Sequence, residues 1–164
     1  MSNQQLVPAT GGRAVQENLS HDYVSIFIGE QMFGIPVLQV QDVLGPQRIT
    51  RIPLAPSEVA GSLNLRGRIV TAIDVRERLR IAHEEGAEKA MSVVVELGGE
   101  LYSLLVDNVG EVLSLSAQTY ERNPATLDPA WREVSVGIHR LDGKLLIVLD
   151  VARLLDFSNA ADAA

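Results

Sequence analysis

Apolar residues along this chain cluster in short, strand-length stretches, interrupted by single polar residues and closed by glycine, proline or charged turns. That rhythm belongs to strands, not to long helices. Tyr23 to Ile28 (YVSIFI) reads as a first strand, and Gly29-Glu30-Gln31 as the turn after it. Met32 to Ile35 starts a second strand, which Pro36 interrupts, so an edge or a bulge is expected there. From Leu38 to Leu44 (LQVQDVL), an extended backbone sets Val40, Asp42 and Leu44 on one face and Gln39, Gln41 and Val43 on the other. Neither face is cleanly apolar, as suits a strand that meets a partner.

Leu54 to Val59 offers a Ser57 cap for a short helical turn. Leu63 to Arg68 reads as strand, tight turn, strand, and Ile69 to Ile73 (IVTAI) as a strand buried on both faces. Asp74 and Glu77 have the spacing of a capping box, which starts a short helix through about Ile81. His83 to Lys89 is a polar connector. Met91 to Leu97 and Leu101 to Val106 then form a hairpin around Gly98-Gly99. Ser116 to Val134 is the longest irregular segment and holds Trp131, the one tryptophan. Leu145 to Leu149 repeats the buried strand, and Asp150 caps the last helix.

These elements come in two copies. Gly61, Leu65, Gly67, Asp74, Val75 and Leu79 recur as Gly137, Leu141, Gly143, Asp150, Val151 and Leu155, all at the 76-residue spacing that separates Gly67 from Gly143. Upstream, a weaker echo at the 69-residue spacing of Gly29 and Gly98 pairs Phe33 with Tyr102, Val40 with Val109, Asp42 with Glu111 and Val43 with Val112. A duplicated β-rich unit predicts two pseudo-symmetric subdomains with a partner-binding groove between them. Residues 1–20 and 158–164 read as flexible tails around a folded region of 21–157, divided near 83–90 with strand exchange left open. The fold class expected is mostly β: two small SH3-like or Greek-key barrels with short helices.

Composition narrows the function. Of the 164 residues, 46% are hydrophobic but only 4% aromatic, so the core is built from Val, Ile and Leu. A net charge of −7 argues against nucleic acid or an anionic membrane surface as partner. With no cysteine, disulfides and thiolate chemistry drop out. No apolar run approaches a membrane span and the N-terminus lacks signal-peptide features, which points to the cytoplasm. His21, His83 and His139 match no metal-ligand spacing and are expected at the surface. Asp74 and Asp150 each precede a helix and are expected to cap it. Nothing here suggests catalysis, a metal or a cofactor.

Binding residues stand out better. The repeat keeps Gly67 but replaces Arg66 by Asp142, so Arg66 is a candidate for a one-sided role. Asp42 and Glu111 each mark an apolar strip with one acid, a pattern suited to an amphipathic helix.

The runs Phe33-Gly34-Ile35, Val40-Gln41-Asp42-Val43, Thr50-Arg51-Ile52-Pro53, Gly61 to Gly67 (GSLNLRG), Ile73 to Arg76 (IDVR) and Leu105 to Leu113 (LVDNVGEVL) resemble, in order, the CheW family of chemotaxis coupling proteins. The resemblance covers about Tyr23 to Phe157. It implies two intertwined five-stranded SH3-like barrels and a non-enzymatic adaptor, without cofactor, that links the cytoplasmic tips of methyl-accepting chemoreceptors to the regulatory domain of a CheA-type histidine kinase. By position it implies that Val40, Asp42, Arg66, Ser103, Val109 and Val112 face or couple to the receptor. Ile49, Arg51 and Ile52 are assigned to the kinase contact, and self-association in array rings beneath the inner membrane is left open. Asp42 stands where that family commonly has Glu, and Ser103 where it commonly has Gly. Two other readings remain: an adaptor of this fold in surface motility or second-messenger control, and a small-molecule sensor using the inter-barrel groove.

Overall fold

The two sequence copies become two structural copies that have traded hairpins. The computed structural model describes residues 20–83 and 90–156, so both tails, the 84–89 connector and Phe157 lie outside the described residues. The first half contributes β1 (Ser20–Ile28), β2 (Gln31–Pro36), β3 (Val40–Leu44), β4 (Val59–Leu65), β5 (Arg68–Asp74) and α1 (Val75–Leu79). From the second half come β6 (Met91–Leu97), β7 (Glu100–Val106), β8 (Asn108–Ser116), β9 (Tyr120–Glu121), α2 (Pro129–Arg132), β10 (Ser135–Leu141), β11 (Lys144–Leu149) and α3 (Val151–Leu154). Sheet 1 runs β3-β6-β7-β5-β4, and sheet 2 runs β8-β1-β2-β11-β10-β9.

Each sheet therefore borrows a hairpin. β6–β7 sits among first-half strands, and β1–β2 among second-half strands. The joins are parallel: Thr71↔Tyr102 to Asp74↔Leu105 in sheet 1, and Met32↔Leu146 to Gly34↔Val148 in sheet 2. The connector after His83 thus separates halves along the chain, while each sheet draws on both. Sheet 2 holds a sixth strand, the short β9, beyond the five expected.

Alternation along the strands builds three cores. Where the sheets meet, Ile26, Ile28, Phe33, Ile35, Ile147 and Leu149 pack against Ile73, Val93, Val95, Leu104 and Val106. The opposite face of sheet 1 holds Leu63, Val70 and Ala72, and that of sheet 2 holds Tyr23, Leu146 and Val148. Asp74 and Asp150 cap α1 and α3, accepting from the Glu77 and Arg153 N–H at 3.3 and 3.2 Å. A half-buried ion pair ties the halves. Arg76 of α1 bonds both carboxylate oxygens of Asp107, at the β7–β8 corner, and donates to the Ala82 carbonyl. Asp107 also accepts the Gly29 N–H from the β1–β2 turn at 2.7 Å. The Arg76 guanidinium holds this carboxyl below the usual range, with the Gly29 N–H helping against the opposing effect of burial.

Several local expectations need correction. Pro36 is neither edge nor bulge but the last residue of β2, beyond the Met32–Gly34 stretch that pairs with β11. Leu38 lies in a 3-10 turn, Val37–Gln39, so the strand begins only at Val40. Residues 53–58 make turns instead of a helical turn, because two prolines in four residues deny a helix its donors. Ile69 is 73% exposed at the hairpin end, and burial on both faces starts at Val70. Within 116–134 lie a 3-10 turn at Ala117–Thr119, β9 and α2. There Trp131 stacks edge-on against Phe33 and gives its indole N–H to the Leu79 carbonyl at 2.9 Å.

The histidines divide. His21 is exposed on β1, at the surface as expected. His139 is fully buried, because position 139 corresponds to Leu63 and lies, like it, on the face of its sheet away from the shared core, against Tyr23. Its Nδ1 lies 2.8 Å from Thr119 Oγ1 and its Nε2 3.3 Å from the Tyr23 hydroxyl. Thr119 already donates to the Ser116 carbonyl, so the neutral ring donates from Nδ1 and accepts Tyr23 at Nε2. Burial, with His21 nearby, pushes the His139 pKa down.

Two predictions follow from this packing. Ile73→Ala opens a cavity between the sheets and is expected to cost about 2–5 kcal/mol in denaturant unfolding. For His139 the folded pKa lies below the unfolded one, so the unfolded chain takes up the proton first. Its contribution is full above about pH 6.5 and declines as pH falls through the interval down to the folded value. Melting temperature should fall between about pH 7 and 5, and His139→Leu should flatten that slope.

Candidate functional site

The site grows from two edge strands with the same irregularity. In β3, Val40 pairs with Val95 and Asp42 with Val94, leaving Gln41 as an extra residue. In β8, Val109 pairs with Ile26 and Val112 with Val24, so Gly110 and Glu111 stand opposite Ser25 alone. The 69-residue spacing relates the two places: Gln41 matches Gly110 and Asp42 matches Glu111. A bulge in an edge strand interrupts its ladder and re-aims its side chains. Each of these strands is the terminal strand of its sheet. Val40, Asp42 and Leu44 are half-buried, with Gln41 and Val43 exposed, the alternation expected from sequence.

Arg66 reaches Asp42 from the far side of sheet 1. Its Nη2 lies 3.0 Å from Asp42 Oδ2, with the arginine side chain 76% exposed and the aspartate 30%. β3 and β4 are opposite edges of the sheet, so this pair bridges from one edge to the β4–β5 hairpin beside the other. The turn itself is unusual. Arg66 and Gly67 both have positive φ, 52° and 84°, as a two-residue hairpin turn of this hand requires. Glycine fits such a conformation freely, whereas Arg66 is held there at a cost of about 1–2 kcal/mol. An exposed ion pair returns only about 0–1 kcal/mol. The ion pair therefore does not clearly repay the conformation, which keeps Arg66 a candidate on backbone as well as sequence grounds.

The remaining candidates divide between the sheets. Val109 is half-buried against the shared core, while Val112 is 56% exposed on β8. Of the six receptor-facing candidates, the structure joins Asp42 with Arg66 directly and sets Val109 and Val112 on the matching edge of the other sheet. Ser103 corrects its expectation. It is fully buried in β7, so it touches no partner at the surface. Its hydroxyl has no hydrogen-bond partner among the described residues. A single row runs Asp42↔Val94↔Ser103↔Ala72 across sheet 1, which places Ser103 two strands behind Asp42 as packing.

On the β3–β4 loop, Thr50 and Ser62 exchange backbone hydrogen bonds, both 2.8 Å. Ile49 packs inward beside Leu63 and Val70, whereas Arg51 and Ile52 are exposed. Sequence reasoning missed Leu54, which is fully exposed with a positive φ of 65°. Its signal was an apolar residue in Pro53-Leu54-Ala55-Pro56, where turn chemistry favours Gly or Asn.

A concavity of about 570 Å³ opens on sheet 2, lined by Tyr23, Pro36, Leu38, Tyr120, Val136 and Val148 among others. It belongs to one sheet and its flanking turns rather than to a groove between the two. Among the described residues no cluster of three or more His, Asp or Glu is placed to hold a metal ion. Nor is any helix among them long and apolar enough to cross a membrane.

Comparison with known proteins agrees with this geometry. Residues 22–158 match the CheW-like domain. The chain is 29% identical over 153 residues to the chemotaxis protein CheW of Klebsiella aerogenes, covering 93% of this chain and 92% of that one. It is 27% identical over 135 residues to the chemotaxis protein CheW of Treponema pallidum, covering 80% and 79%. The crystal structure of the scaffolding protein TtCheW from Thermoanaerobacter tengcongensis superposes with a TM-score of 0.76 at 27% identity, covering 85% of this chain and 95% of that one. The matched segment takes in the exchanged hairpins, both bulged edges and the Asp42–Arg66 pair, and the chain belongs to the CheW-like domain family.

Proposed function

We propose that this protein is a non-enzymatic adaptor that couples methyl-accepting chemoreceptors to a CheA-type histidine kinase at the cytoplasmic face of the inner membrane. One observation supports it above the others: an exposed arginine held in a strained turn and aimed at the acid of a bulged edge strand. In this reading the receptor's helical tip lies against β3 and β8. Val40, Val109 and Val112 supply apolar contact, while Arg66 and Asp42 fix orientation through charge-assisted hydrogen bonds. Ser103 supports the row behind Asp42. The kinase regulatory domain takes the β3–β4 loop, where Arg51, Ile52 and Leu54 are exposed and Ile49 anchors the loop inward. Engaging both partners raises effective concentration, so modest affinities suffice for a stable array. The names of the relatives favour chemotaxis over surface motility or second-messenger control.

In a reconstituted assay with receptor tip and kinase, autophosphorylation should become receptor-dependent only when this protein is present. Binding of neither partner would rule the coupling role out. Arg66→Ala should weaken receptor-tip binding by at least about tenfold, the scale of one charge-assisted hydrogen bond. Arg66→Gly should bind as poorly yet unfold within about 1 kcal/mol of wild type, because relief of the strained φ offsets the lost ion pair. A large fall in stability for Arg66→Gly would make the arginine structural instead.

A further inference from the structure

The two matching bulges are not held alike. In sheet 2 the residue opposite the bulge is Ser25, 2% exposed, whose hydroxyl donates to the Glu111 carbonyl at 2.6 Å. In sheet 1 the corresponding residue is Val94, equally buried but without a hydroxyl, and β3 bulges there all the same. The fold thus builds this irregularity around an apolar side chain, so the serine does something beyond permitting it.

A bulge leaves its extra residue out of the ladder, and a fixed acceptor there defines which way the neighbouring side chains point. Glu111 lies between Val109 and Val112. Gly110 completes the arrangement: a Cβ at that position would come within 2.6 Å of Ser25 Oγ and 2.9 Å of the Phe27 ring. The hydroxyl and ring together fill the space beneath the bulge. In β3, by contrast, Asp42 turns Oδ1 to its neighbour's N–H at Val43 and Oδ2 to Arg66, so side chains that a partner also contacts hold that bulge.

We infer that Ser25 is a positioning residue for β8: its buried hydroxyl, bonded to the Glu111 carbonyl, fixes the bulge that presents Val109 and Val112 to the receptor. This inference rests on the receptor-facing reading of β8 proposed above. It makes β8 the preset edge of the contact surface and β3 the edge that answers to its partner.

Threonine and valine are nearly isosteric and differ at this position by the hydroxyl, so the test compares Ser25→Thr with Ser25→Val in the full chain. Two quantities are read: hydrogen exchange of the β8 amides, and affinity for a soluble receptor-tip hairpin. Ser25→Val is expected to speed exchange around Glu111 and lower affinity about fivefold, the effect of one buried hydrogen bond. Ser25→Thr should stay within about twofold of wild type in affinity. Gly110→Ala, which drives a methyl into the Ser25 hydroxyl, should behave like Ser25→Val. Wild-type exchange and affinity in Ser25→Val would overturn the inference, and so would equal losses in the Thr and Val variants, since shape and not the hydroxyl would then be responsible. Faster exchange in Ser25→Val with unchanged affinity, together with wild-type binding by Val112→Ala, would uphold the hydroxyl's hold on the bulge and refute the receptor reading of β8.

Discussion

Two short parallel ladders, β2 with β11 and β5 with β7, hold a hairpin from each half of the chain inside the sheet of the other, and the remaining structure depends on them. Losing the β2–β11 ladder would split sheet 2 into two three-stranded halves, and losing β5–β7 would part β5 and β4 from sheet 1; either would open the core between both. Arg76 and Asp107 reinforce the same join, linking α1, the β7–β8 corner and the β1–β2 turn through charge-assisted bonds. An adaptor that carries bias between partners benefits from a body of this kind. Each sheet is completed by a hairpin from the other half and the two share one close-packed core, so packing and chain connection together fix how they sit.

Against that rigid body, the candidate contact surface is made from the parts the ladders leave free. β3 and β8 are the edge strands of their sheets and each carries a bulge, at which β8 departs from regular alternation while β3 keeps it. Arg66 belongs to the same category, since its conformation costs more than its visible ion pair returns. The main core lies behind these edges, between the sheets, packed from Ile26, Phe33, Ile73, Leu104 and Ile147.

Much of this was legible in the sequence because duplication repeats constraints. The 76-residue spacing maps β4, β5 and α1 onto β10, β11 and α3 element by element, including the two capping aspartates. Arg66 was visible for the opposite reason, as the residue that the repeat discards. What could not be read were environments made by distant strands. The burial of His139 depends on Tyr23, which is 116 positions away, and on Thr119 in a segment without periodicity. Ser103 was named by position in the family resemblance alone, and its burial between Val94 and Ala72 comes from strands that its own sequence does not announce. Which strands would be exchanged was equally hidden, since hairpin patterns give pairing within a hairpin but not the neighbour beyond it.

The exchange also sets an order on biogenesis. As the chain leaves the ribosome, sheet 1 has all its strands once Val106 is made, and it can close around β6–β7 while the rest is still being synthesised. Sheet 2 cannot, because its first-made hairpin needs β8 and then β11, which ends at Leu149. Through that interval β2 lacks its β11 neighbour, and Tyr23 lacks Leu146 and Val148, the residues that bury it on the outer face. The earliest hairpin is therefore the last to be completed, and the nascent chain's exposure to mispairing is concentrated there. A ribosome stalled between Val106 and Leu149 would display one finished sheet and one sticky, half-built one.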